Sequence, residues 1–177
     1  MKSDVIVIDS KGHGFGEAIA QTEKTAKFVG LDKSESLDLQ LLTEEMLSLV
    51  RSVTGEMKAS FWIESEGKAF QLHMTTETVM DKEKRFQLIE SSTSHRNEAA
   101  TGFLGKLRDA LEEAMTAEAD RQTVDLPMDV IDDLPVNSAE TADWDGLERS
   151  ILQSAADQVK IGIRGGVVDV TICKRFG

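Results

Sequence analysis

The stretch "MKASFWIESEGKAFQLHMTTET", Met57 to Thr78, decides the fold class of this chain. Ala59, Phe61 and Ile63 alternate with polar residues in its first half, and Phe70, Leu72 and Met74 do so in its second. Successive side chains of a strand point to opposite faces, so this two-residue period describes two strands with one apolar face each. The "SEG" between them is short and carries a glycine, which turns the chain back on itself. A hairpin joins antiparallel neighbours, whereas parallel strands need a long crossover, so the sheet is at least partly antiparallel.

Toward the N-terminus, Val5 to Ile8 reads as a further strand. Phe15, Ile19, Thr22, Ala26 and Val29 then recur at spacings of three and four up to Gly30, which describes an amphipathic helix closed by a glycine. "DKSE", Asp32 to Glu35, spells a capping box, and Leu39, Leu42, Met46, Leu49 and Val53 form a second helical stripe ending near Gly55. Beyond the hairpin, "MDKEKRFQLIESSTSHRNEAATG" predicts one short helix and then a polar lid or linker. Phe103, Leu107, Ala110, Leu111 and Ala114 mark a further helix, and Trp144, Leu147, Ile151 and Ala155 another. In "VKIGIRGGVVDVTI" Val159, Ile161 and Ile163 alternate, Gly165-Gly166 turns, and Val168, Val170 and Ile172 alternate back: a second hairpin. The expected fold is one α+β domain over residues 1–177, a mainly antiparallel sheet with helices near 15–29, 36–54, 102–118 and 144–156 on one face.

Composition narrows the function. The chain has 177 residues, 40% of them apolar, enough for a core of its own. A net charge of −12 repels phosphate backbones and anionic lipid surfaces, so neither nucleic acid nor a membrane is an expected partner. Cys173 is the single cysteine, which excludes an internal disulfide, and no window approaches the roughly eighteen apolar residues of a spanning helix. The expectation is a soluble cytoplasmic protein. An acidic insertion stands at about 120–143; from Asp125 to Glu148 there are eight acidic residues, both prolines and no Lys or Arg. Such a run is a solvated loop or, through Asp129, Asp132, Asp133 and their neighbours, a surface for a basic protein partner.

The glycines of "VIVIDSKGHGFGEAIA", Val5 to Ala20, invite a phosphate loop, because a strand, a glycine turn and a helix N-terminus together make an anion site. The spelling is not G-x-G-x-x-G, since Glu17 stands where the third glycine belongs, and no P-loop lysine follows. A plain strand-to-helix connection is the expectation. His13, His73, His95 and Cys173 lack metal-ligand spacing, and Ser91 to Ser94 beside His95 make no triad by adjacency. Lys82, Lys84, Arg85 and Arg96 form a basic cluster that faces a phosphate or balances nearby acids.

In this order of elements, with "LLTEEMLSLVRSVTG" on the second helix, the chain resembles the histidine-kinase-like (GHKL) ATPase superfamily and, within it, the anti-sigma factor serine kinases. The resemblance implies a two-layer sandwich in which Glu45 takes the catalytic position near the γ-phosphate. A magnesium-holding Asn is implied four residues later, where Leu49 stands. It implies an adenine-recognising D-x-G-x-G near "HMTTETVMDK", where Thr75, Thr76 and Glu77 stand without a glycine. It implies a glycine turn under the phosphates, matched by "ATGFLGKL" with Thr101, Gly102, Gly105 and Lys106. ATP and magnesium are the implied cofactors, with Leu49 counting against the metal and the missing glycines against the nucleotide. Protein partners and a pairing of two copies are implied as well. The readings are a regulatory module with degenerate nucleotide motifs, an active serine kinase with Glu45 as base, or a small-molecule-binding or structural domain.

Overall fold

The computed structural model describes residues 1–55, 58–100, 112 and 151–177. Its elements are β1 (Ile6–Asp9), α1 (Phe15–Val29), α2 (Lys33–Thr54), β2 (Lys58–Glu66), β3 (Ala69–Glu77), α3 (Lys82–Ser91), β4 (Gln158–Arg164) and β5 (Val167–Arg175). The strands form one antiparallel sheet in the order β1-β2-β3-β5-β4. Ile8, Phe61, Ile63, Phe70, Leu72, Met74, Ile161, Val170 and Ile172 point to one face and share a single core with Leu39, Leu42, Met46 and Leu88 of the helices. The α+β class, the antiparallel sheet and the helices on one face are therefore as the alternation requires. The expected helix near 102–118, the part of the last helix before residue 151 and the acidic insertion lie outside the described residues; residues 151–155 are helical.

Local chemistry fixes the boundaries. α2 begins three residues before the expected 36, because Asp32 is its N-cap: the Glu35 N–H donates to Asp32 Oδ1 at 2.8 Å and Asp32 N–H to Glu35 Oε2 at 2.9 Å. Its first turn is polar, so the apolar stripe starts later than the helix. α1 ends as its glycine predicts, with Gly30 at φ 84 and Leu31 N–H donating to Ala26 O at 3.0 Å. Gly165 and Gly166, at φ 56 and 85, make the two-residue turn between β4 and β5.

The polar stretch after α3, expected to be a lid or linker, is held on the outer edge of β4. Thr93 N–H donates to Val159 O at 2.9 Å and Glu98 N–H to Ile161 O at 2.8 Å. Asn97, 9% exposed, brackets Ile163 with its amide: Nδ2 donates to Ile163 O at 2.9 Å and Oδ1 accepts from Ile163 N–H at 2.8 Å. An edge strand with unpaired backbone groups is a template for unwanted pairing, and this segment covers it. Asn97→Ala leaves those Ile163 groups without the amide, and the expected loss is about 2 kcal/mol. Urea unfolding checks it, as a lower midpoint at unchanged slope.

Candidate functional site

The chain turns back on Asp9 at the end of β1. Lys11 N–H donates to Asp9 Oδ1 at 2.9 Å and His13 N–H to the same oxygen at 3.1 Å. His13 Nδ1 lies 2.7 Å from Oδ2, and this bond holds the Asp9 carboxyl below the usual carboxylate range. Gly12 N–H donates to Asp9 O at 3.1 Å. A phosphate at this loop would need those amides, and Asp9 already occupies them. Gly14 has a different necessity: at φ 82, a Cβ built there would lie 2.3 Å from Val7 O.

The residues that the resemblance singles out lie in or near the helical layer. Glu45 is half-buried on α2. Leu49, one turn later, is 2% exposed and packs in the core with Leu42, Met46, Val50 and Val53. The spacing of four puts both on one side of the helix, Glu45 at the rim of the apolar stripe and Leu49 within it. Thr101, Gly102, Gly105 and Lys106 lie outside the described residues. The pleat of β3 separates the three residues at the adenine position. Thr76 is buried toward the helices with its hydroxyl donating to Lys58 O at 3.2 Å, Thr75 donates to Asp169 Oδ1 at 2.7 Å on the other face, and Glu77 is exposed.

The basic cluster is not one patch. α3 turns Arg85 inward to 5% exposure, Lys84 Nζ donates to Val79 O at 3.2 Å, and Lys82 and Arg96 face water. α3 packs against α2 and β4, so Arg85 belongs to the same layer as Glu45. An open cleft of about 660 Å³ lies where β3 leaves the sheet, lined by Thr54, Glu77, Thr78, Val79, Lys84 and Gly166. A larger one of about 960 Å³ lies at the other end, lined by Glu64, Gln71, Gln158, Cys173, Lys174 and others. Glu45 is not among the described residues lining either cleft.

Sequence reasoning missed a group on the sheet face away from the helices. Trp62 and His73, paired across β2 and β3, stack with ring centres 5.0 Å apart and planes at 10°. His73 Nδ1 lies 3.1 Å from Thr171 Oγ1 on β5, and Lys160 of β4 continues the row. Alternation put His73 opposite Phe70, Leu72 and Met74, as expected for the face, but only the register reveals its aromatic partner.

Among the described residues no group of His, Cys, Asp and Glu is arranged to hold a metal ion, and no helix is long and apolar enough to cross a membrane. Compared with known protein families and with curated proteins, the sequence matches none.

Proposed function

We propose that this chain is a regulatory protein-binding module of the histidine-kinase-like ATPase type, related to the anti-sigma factor serine kinases and without nucleotide turnover. The observation that carries the reading is Leu49: the position that the resemblance gives to a magnesium-holding Asn is an apolar core residue, 2% exposed. A hard cation needs oxygen ligands, and neither Leu49 nor its core neighbours Met46, Val50 and Val53 supply a side-chain oxygen, so this part of α2 does not fit magnesium. The order of elements among the described residues, strand, two helices, hairpin, helix, the helical stretch at 151–155 and hairpin, supports the family reading. Fold and function are separable, and a scaffold that loses its chemistry still presents surfaces. The proposed partner is a basic protein of the cytoplasm, drawn by a chain of net charge −12.

ATP hydrolysis and serine phosphorylation with magnesium, measured on wild type and on Glu45→Ala, test the reading. Both proteins are expected to stand at the same background rate. Magnesium-dependent turnover that Glu45→Ala abolishes overturns the proposal in favour of an active kinase. A thermal-shift scan with ATP and ADP separates retained from lost binding, since a ligand at a hundred times its Kd stabilises by about 2.7 kcal/mol.

A further inference from the structure

The row on the sheet face away from the described helices joins a histidine to residues 1–3. Residues 1–3 run beside β2, with Ser3 N–H donating to Ile63 O at 2.9 Å, Ile63 N–H to Ser3 Oγ at 2.9 Å, and Ser65 N–H to Met1 O at 2.8 Å. Lys2 Nζ stands 5.0 Å over the Trp62 ring and 3.0 Å from Glu64 Oε1. Trp62 Nε1 donates to that same oxygen at 3.2 Å. The Glu64 carboxylate thus ties the strap to the indole, and the indole stacks on His73.

His73 is the member of this group with an unsatisfied buried ring nitrogen. Its Nε2 is shut from water without a hydrogen bond, 3.9 Å from Glu64 Oε2. Among the described residues, the charges around it are Lys2 from the strap, Glu64 from β2 and Lys160 from β4, with Asp169, engaged by Thr75, and Cys173 of β5 one row away on either side. We infer that the proton on His73 and the docking of residues 1–3 are coupled, so that the strap is a proton-responsive latch. A positive imidazole beside Trp62 repels Lys2 and draws on Glu64, the carboxylate that holds Lys2 in place. The ammonium over the ring gains from the indole face only while no second cation shares the stack.

The sign of the pH dependence follows from the surroundings. Burial is the largest influence and holds His73 below its ordinary value near 6.5; Glu64 opposes this, and Lys2 and Lys160 add to it. The folded protein therefore binds this proton less well than the unfolded chain does. The contribution to stability is whole above the ordinary value and is lost as pH falls through it toward the folded one. Coupling is reciprocal: if the proton loosens the strap, loosening the strap favours the proton.

Ring titration of His73 by NMR, together with amide exchange across the same pH range, tests the latch on the full chain. Lys2→Gln is expected to raise the His73 midpoint and Glu64→Gln to lower it. Protection of the Ser3 and Ser65 amides, referenced to Ile172 in mid-sheet, is expected to fall a few-fold as His73 protonates in wild type and to stay level in His73→Gln. An unmoved midpoint in Lys2→Gln, or a protection ratio constant through the wild-type titration, overturns the proposal. The Lys2 and Glu64 side chains are 58% and 43% exposed, so their variants fold and keep the test decisive if His73→Gln does not.

Discussion

Leu49→Asn is expected to lower stability by about 4 kcal/mol and to bring no magnesium-dependent turnover. The substitution gives α2 the residue that the family resemblance asks for, at a place 2% exposed and surrounded by Met46, Val50 and Val53. Losing a buried leucine side chain costs about 1.5–3 kcal/mol. An amide left in apolar surroundings without partners adds about 1–3 kcal/mol. In a chain of this length the sum corresponds to a fall in Tm of roughly 10 °C. Urea unfolding and an ATPase assay on the same preparation read both halves. A variant as stable as wild type that turns over ATP with magnesium would place position 49 at a nucleotide, and the degenerate reading would fail.

Gly14→Ala carries the second large effect, about 3 kcal/mol or more. At φ 82 a Cβ is disfavoured by about 1–2 kcal/mol on backbone grounds alone. The new methyl would also lie 2.3 Å from Val7 O and 3.2 Å from Ile8 Cα, backbone atoms that cannot swing aside. β1 or the start of α1 must then shift, disturbing the Asp9 turn between them. Gly12→Ala is the control, since Gly12 has a similar φ of 90 but nothing within 4 Å of an added Cβ. Its expected loss is the backbone cost alone, about 1–2 kcal/mol. The difference between the two unfolding midpoints isolates the collision, and equal losses would refute it.

What was legible in the sequence was local. The capping box at Asp32, the glycine stop at Gly30 and the alternations of Phe61, Ile63, Leu72 and Val170 each declare themselves within a few residues, and the structure realises them. What was not legible depends on which strands meet. Trp62 and His73 are eleven positions apart (62 to 73), and neither signals the other until the register pairs them. Asn97 sits in a polar run with no period, yet it secures Ile163, sixty-six residues on. Gly14 looks like one of three equivalent glycines until Val7 O is placed against it. The candidate site rests on resemblance alone, but the burial of Leu49 was legible from its place in the stripe of Leu42, Met46 and Val53; the half-burial of Glu45 at the rim of that stripe was not, because it depends on what packs beside the helix.

The strand order has a kinetic consequence. β5 lies between β3 and β4, and it begins ninety residues after β3 ends, at 167 against 77. A ribosome adding roughly 5–20 residues each second leaves β3 with one open side for several seconds before its neighbour exists. During that interval Phe70, Leu72 and Met74 have a flank without a partner, and closing the sheet requires a contact of high sequence separation, the slow kind. Residues 82–91 and the stretch around Asn97 are made well before the strand they will brace. A chain stopped ahead of residue 167 therefore lacks the strand that flanks β3, and is expected to be captured by chaperones or to pair with a neighbour's strand.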